Sequence, residues 1–406
     1  MWVGTNSKDL KVTNRLLVRD MIRRRGPIAR YEIARETGLN PSTVSIIVAE
    51  LLRTGVIQEV GHGVSSGGRR PILLELNPAA AYVFAVRLQR GELVAAIFDL
   101  KEEILAERFC QLNTDHPQRV VDAIGHTFEE LVTELQISPN RVLWCGVASP
   151  GLVTADTGVV ERSSNLGWVG IPLGALLRER LGGMPVTVEN ISNAAALAEK
   201  EYGLGRGRDH MVFINLSVGI GAGIVAGGHI YGGCRGFAGE IGHMQVLEGG
   251  PLCACGQRGC FEAVCGARAV LEKAKAVLPF EILRAIGKAR EELTWHDLIS
   301  EPLVNTPQMQ ELMEETSRIV GRVISNLVHL LNPELVVLGG ELSGIGESLC
   351  QVVREEVLGR SLEEMRSSLS VEISRIKGSA PLMGAYVLAL ERIFALEEWG
   401  GVAAGN

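Results

Sequence analysis

Apolar runs long enough to cross a bilayer are nearly missing from this 406-residue chain. Only Met211–Gly228 lacks charge. It holds Gly219, Gly221, Gly223, Gly227 and Gly228, too many for a stable isolated helix, so two buried strands around a turn are predicted there instead of a membrane span. Residues 1–25 are charged and have no continuous apolar core, which excludes a secretory leader in that stretch. No short-period repeat or low-complexity tract is present, which sets aside repeat arrays. A disulfide framework is not indicated either: of eight cysteines, four crowd between Cys253 and Cys265, a clustering that reads as metal binding in a chain without an export signal. A cytoplasmic protein is expected.

What is present is ordinary in bulk and uneven in distribution. Hydrophobic residues make up 46% and charged residues 21%, values of a globular protein of two or three domains. The net charge of −7 is split. Residues 1–71 hold twelve Lys/Arg and six Asp/Glu, a balance of +6 that leaves −13 on the remainder. A basic module on an acidic body points to nucleic acid as the partner of the first part.

Breakers divide that part into three helices: about Asn14–Arg25 with a stripe of Leu16, Leu17, Met21 and Ile22, about Arg30–Thr37, and about Pro41–Thr54 behind an Asn40 or Ser42 cap. The last two have helix-turn-helix spacing. Val44, Ile47, Val48, Leu51 and Leu52 should face inward, leaving Ser42, Thr43 and Ser45 to approach base edges. Val56–Val60 and Ile72–Leu76 read as the strands of a wing, and Arg69 and Arg70 near its tip suit phosphate or minor-groove contact. A small helical domain for protein contacts is the alternative.

From Ala81 onward, strands at Ala81–Leu88, Leu93–Asp99, Val142–Ala148, Val186–Glu189, Met211–Ser217 and Leu335–Leu338 are predicted, with helices between most of them, including Pro117–Leu135. Mixed α/β with Gly-rich turns suggests a nucleotide- or sugar-binding fold. His243, Cys253, Cys255 and Cys260 form His-x9-Cys-x-Cys-x4-Cys, a donor set for a closed tetrahedral zinc site; unligated buried cysteines are the alternative. Cys234 and Cys265 are read as core residues.

The run Glu240-Ile241-Gly242-His243, the cysteine cluster and Glu262 resemble the signature of the ROK family of repressors, open reading frames and kinases. Ser149-Pro150-Gly151, Asn165-Leu166-Gly167-Trp168 and Glu189-Asn190 before Asn193-Ala194-Ala195 resemble it too. The N-terminal winged helix-turn-helix is similar to the repressor branch, which governs use of xylose, N-acetylglucosamine and glucose. The resemblance implies an actin-like, ribonuclease-H-type, two-lobed α/β fold with a sugar in the cleft. It implies sugar contacts from Asn165, Asn190, Glu240, His243 and Glu262, structural zinc on His243, Cys253, Cys255 and Cys260, and His243 serving metal and sugar through its two ring nitrogens. The expected domains are 1–78, then 79–200 completed by a helix at 382–399, then 201–381.

Two parts of the family's kinases are missing. Their general-base Asp after Glu-Asn is Ile191 here, and Arg87-Leu88-Gln89-Arg90-Gly91 stands where they have a glycine-rich phosphate turn. Losing a general base typically costs ~10²–10⁴ in rate. The expected protein is therefore a homodimeric, sugar-responsive repressor of carbohydrate metabolism that binds operator DNA and is not an enzyme. A kinase with an extra domain, or a regulator with a vestigial cleft, are the alternatives.

Overall fold

The computed structural model describes residues 7–63, 70–376 and 379–397. The breakers act as their chemistry requires. α1 (Ser7–Arg25) stops before Gly26-Pro27, and α2 (Arg30–Thr37) closes on Gly38. α3 (Pro41–Arg53) starts at Asn40, whose Oδ1 accepts from the Ser42 amide at 2.9 Å, a cap worth about 1 kcal/mol. β1 (Ile28–Ala29), β2 (Ile57–His62) and β3 (Ile72–Leu76) make a sheet in the order β1-β3-β2. The sheet and three helices form a winged helix-turn-helix. Val44, Ile47, Val48 and Leu51 are buried as expected, while Leu52 is only half-buried.

The body begins with β4 (Tyr82–Gln89), β5 (Glu92–Phe98), β6 (Ile104–Gln111), α4 (Pro117–Glu134) and β7 (Val142–Ser149). A small antiparallel sheet follows, made of β8 (Leu152–Thr154), β9 (Val159–Ser163) and β10 (Trp168–Ile171). Then come α5 (Leu173–Arg180), β11 (Val186–Asn190) and α6 (Ile191–Tyr202). The main sheet has the order β11-β7-β4-β5-β6, with β4, β7 and β11 mutually parallel and β5 antiparallel to its neighbours.

A second sheet repeats the plan. β12 (Met211–Leu216), β13 (Ile220–Ala226), β14 (His229–Ile230), β15 (Leu335–Gly339) and β16 (Ser370–Ile373) lie in the order β14-β13-β12-β15-β16, with the same alternation of direction. The charge-free run of residues 211–228 is thus the β12–β13 hairpin of this sheet. Its helices are α7 (Phe261–Cys265), α8 (Ala267–Val277), α9 (Phe280–Ala285), α10 (Trp295–Leu298), α11 (Pro307–Leu331), α12 (Glu347–Arg360), α13 (Glu363–Arg366) and α14 (Ala380–Ala395). Counted along the chain, both sheets run third, second, first, fourth, fifth, which is the duplicated plan of a two-lobed actin-like fold. Among the described residues no helix is long and apolar enough to cross a membrane.

The final helix of each half packs on the other half's sheet. α14 lies on β4 and β7, whereas α6 lies on β12 and β13. The two helices cross backbone to backbone: a Cβ on Gly384 would sit 1.8 Å from the Ala194 carbonyl oxygen. α14 was expected at 382–399; it ends at Ala395, and residues 398 and 399 lie outside the described residues. α14 also receives the winged helix-turn-helix. Arg19 of α1, 2% exposed, donates to the carbonyls of Phe394 and Leu396, and Val18 and Ile22 share a buried cluster with Tyr386 and Ile393. This contact rotates α1 from the expected stripe. Val18 and Ile22 face in, Leu17 is 39% exposed, and the helix starts at Ser7 instead of near Asn14.

The Gly384 contact gives a direct test. Gly384→Ala forces backbone apart at the crossing and should cost about 1–3 kcal/mol, read as a lower urea midpoint; an unchanged midpoint would show that the crossing can relax freely.

Candidate functional site

Between the two main sheets lies a cleft of about 490 Å³. Its walls come from strand ends and helix starts, where backbone direction changes and polar side chains converge. Asn190 ends β11 and caps α6: its Oδ1 accepts from the Ser192 and Asn193 amides at 2.8 and 3.3 Å, and its Nδ2 donates to the Gly151 carbonyl at 2.9 Å. One amide hydrogen of Asn190 is left for a ligand. Ile191, 6% exposed, occupies the first turn of α6 and contributes an apolar patch to the cleft wall. Behind it, Glu189 Oε1 accepts from the Asn190 amide at 2.7 Å and Asn193 Nδ2 at 3.1 Å.

The expected sugar-contact residues Asn165, Asn190, Glu240, His243 and Glu262 all line this one cleft. Glu262 Oε2 accepts from the Ile220 amide at 3.0 Å, and Glu240 Oε2 lies 3.8 Å from His243 Nε2. Burial raises both carboxyls above the ordinary range. For Glu240, His243 counteracts that rise and Glu262 adds to it; for Glu262, the hydrogen bond from Ile220 and then His243 counteract it. Two carboxyls, an amide and an imidazole on one wall offer a polyol directional hydrogen bonds.

The imidazole faces two ways. His243 Nδ1 is 3.7 Å from Cys253 Sγ, and Cys255 Sγ is 3.7 Å from Cys260 Sγ; all four donor atoms lie within 4.8 Å of one another. Donors about 2.3 Å (sulfur) and 2.0–2.1 Å (nitrogen) from one tetrahedral ion stand roughly 3.5–3.8 Å apart, so the donor set fits zinc. Gly259 makes the last approach possible: at φ +71° it passes Leu247, where a Cβ would fall 1.7 Å from the carbonyl oxygen. Cys265 is buried as expected. Cys234 is exposed and not a core residue, because the glycines at 232, 233 and 236 carry its turn along the surface.

The opposite end of the cleft carries residues that the sequence reading missed. Glu341, directly after the Gly339-Gly340 turn, faces the β4–β5 turn; Asn215, Ser217, Arg162 and Phe237 also line the cavity. Arg87 is held by Gln89 at 2.8 Å and by Glu92 at 2.7 Å. Burial and then Glu92 raise the Glu341 carboxyl, with Arg87 opposing. The Gly-Gly pair before Glu341 was the available signal, because such a pair at a strand end brings the following side chain to the rim.

On the winged module, Ser42 and Ser45 are exposed and Thr43 is half-buried. Arg70 is exposed, while Arg69 lies outside the described residues.

The sequence profile of the ROK family matches residues 83–392. The chain belongs to the ROK family. It is 28% identical over 381 residues to the xylose repressor of Bacillus subtilis, covering 94% of this chain and 95% of that one. A crystal structure of a ROK transcriptional regulator, a homologue of the Escherichia coli MLC protein, superposes with a TM-score of 0.79 at 28% identity, over 94% of this chain and 96% of the other. A ROK glucokinase from Streptomyces griseus, in complex with glucose and AMPPNP, gives a TM-score of 0.69 at 28% identity and covers 77% of this chain and 100% of its own. The family match starts at residue 83, after the winged module.

Removing one donor tests the metal centre. Cys255→Ser should lower bound zinc from one equivalent to well below that, measured by metal analysis after dialysis. Retention of a full equivalent would mean that Cys255 is not a ligand.

Proposed function

We infer that this ROK protein is a sugar-responsive transcriptional repressor of carbohydrate-use genes that has no kinase activity. The carrying observation is one chain in which a winged helix-turn-helix is docked on α14, and α14 crosses the helix whose first turn forms the cleft wall. The reading follows the xylose repressor and the MLC-like regulator, which match nearly the whole chain, whereas the glucokinase matches 77% of it.

Its parts are assigned as follows. Residues 1–78 bind DNA, with Ser42, Thr43 and Ser45 toward the major groove and Arg69 and Arg70 on the wing. Residues 79–200 with α14, and residues 201–381, are the two lobes. Two cytoplasmic copies present paired modules to a palindromic operator. A sugar engages Asn165, Asn190, Glu240, His243 and Glu262. Zinc held by His243, Cys253, Cys255 and Cys260 supplies structural order: it fixes the 243–260 loop and orients the His243 ring toward the cleft.

Phosphoryl transfer is disfavoured at both of its requirements. Ile191 cannot take a proton from a hydroxyl. At the other end, Glu92 and Glu341 oppose a polyanionic nucleotide, and the Arg87 charge is already held by Glu92. The protein therefore uses sugar binding only to choose between lobe arrangements. One arrangement leaves both modules in register with the half-sites, and the other does not. α6 carries the choice: its start lines the cleft, and its last residue, Tyr202, lies 6.4 Å from the Tyr386 ring of α14.

The deciding experiment is a gel-shift titration on DNA upstream of the protein's own gene, with xylose, glucose and N-acetylglucosamine. Release by one sugar, with no ADP formed from ATP in its presence, is the expected result. ADP production would favour the kinase reading. Binding that no sugar alters, unchanged in Ile191→Asp, would favour a vestigial cleft.

A further inference from the structure

The solvent face of α3 is chemically unusual for a helix meant to read DNA. Its exposed residues are Pro41, Ser42, Ser45, Ile46, Ala49 and, at the far end, Arg53. The first five include none of the side chains that recognise one base by paired hydrogen bonds: no Arg or Lys for guanine, no Asn or Gln for adenine. Asn40 just before the helix does not fill that role, because its Oδ1 accepts from both the amide and the hydroxyl of Ser42, at 2.9 and 2.8 Å.

Two features remain. Ile46 is 65% exposed at the middle of this face, in a helix whose other isoleucine, Ile47, is 4% exposed. Ala49 follows it at the next turn on the same side. The two hydroxyls are also polarised in one sense. Ser42 Oγ donates to Asn40 Oδ1, and Ser45 Oγ donates to the Pro41 carbonyl at 2.9 Å. With their protons engaged inward, both present lone pairs outward and act as acceptors.

An acceptor beside an apolar group matches one kind of base pair. In the major groove only A·T carries both a donor, adenine N6, and a methyl, thymine C5, with the thymine O4 acceptor between them; G·C offers a donor on cytosine but no methyl. The surroundings favour duplex DNA as the occupant of this apolar face. Arg53 at the end of α3 and Arg70 on the wing are exposed, as are Arg25 and Arg35 of α1 and α2, which share Glu36 as an ion-pair partner at 3.8 and 2.9 Å, so the module presents net positive charge to solvent.

We propose that Ile46, supported by Ala49, is a specificity-determining residue that packs on thymine methyl groups, with Ser42 and Ser45 accepting from adenine, so that the bases under α3 are A·T pairs. This rests on the DNA-binding reading of the winged module. Guanine is excluded there for want of a donor pair, and the arginines contribute affinity without reading bases.

The test uses the full-length protein and duplexes selected from a random 30-base-pair library. Selected sites should carry A·T pairs at the α3 positions. Replacing each contacted thymine by deoxyuridine removes only the methyl and should weaken wild-type binding about four-fold, the value of one buried methyl group. Ile46→Ala should bind the thymine duplex at least that much more weakly and be indifferent to deoxyuridine at the same position. Ile46 is exposed, so this variant folds as the parent does, and Ile46→Val should restore most of the methyl dependence. Selection of G·C pairs under α3, or an equal deoxyuridine loss in wild type and Ile46→Ala, would overturn the inference while leaving DNA binding intact. Failure to enrich or shift any duplex at 50 mM salt would instead remove the DNA-binding reading beneath it.

Discussion

The closeness of α6 to α14 is the constraint on which the rest of this molecule depends. At Gly384 no side chain separates one helix from the other's carbonyl group, and each helix lies on the sheet built by the opposite half of the body. Each half covers one face of its sheet with its own helices and depends on the other half to cover the second. The same helix that covers β4 and β7 also receives Arg19 and the apolar face of α1. One crossing thus links two sheets, the cleft between them and the basic module. Protein interiors packed this tightly respond to strain by switching between arrangements, not by bending gradually.

Within the cleft, the chemistry is divided by end. One wall gathers Glu240, Glu262 and His243 around hydrogen-bonding geometry, and the imidazole is shared with three thiols. The other end pairs Glu92 with Arg87 and brings Glu341 near both. The first wall offers directional hydrogen-bonding groups, and the second brings two carboxylates beside Arg87. The same fold serves a regulator and a glucokinase, so function resides in sites and not in folds.

Much of this was legible in the residues because local chemistry decided it. Gly26-Pro27, Gly38 and Asn40 set the ends of three helices, and short apolar runs located β4, β5, β7, β11, β12 and β15 within a residue or two. The grouping of His243, Cys253, Cys255 and Cys260 was readable from their short spacing, and the structure brings their donor atoms within 4.8 Å of one another. What escaped was decided by distant packing. β6 and β16, at the outer edges of the two main sheets, have mixed burial and weak patterns, and β8 to β10 are short. Leu17 was assigned inward because the helical repeat alone allows either of two neighbouring faces; the docking of α1 on α14 selects the one bearing Val18 and Ile22. Cys234 was misread as buried because cysteine usually is, while its glycine-rich turn runs over the surface. Glu341 was overlooked because a single carboxylate carries no signature until β15 delivers it to the same cavity as Glu92.

The exchange of final helices also bears on how the chain comes to exist. During synthesis, β4, β5, β6, β7 and β11 emerge long before residues 380–395, yet α14 is what covers β4 and β7 and seats α1. Until that last helix has left the ribosome, the first sheet has an uncovered apolar face and the basic module has nothing to rest on. The nascent chain thus passes through a long interval with one face of that sheet exposed. Premature termination anywhere before residue 380 would leave the winged module without its seat, so a truncated product would carry α3 but not the helix that ties it to the cleft.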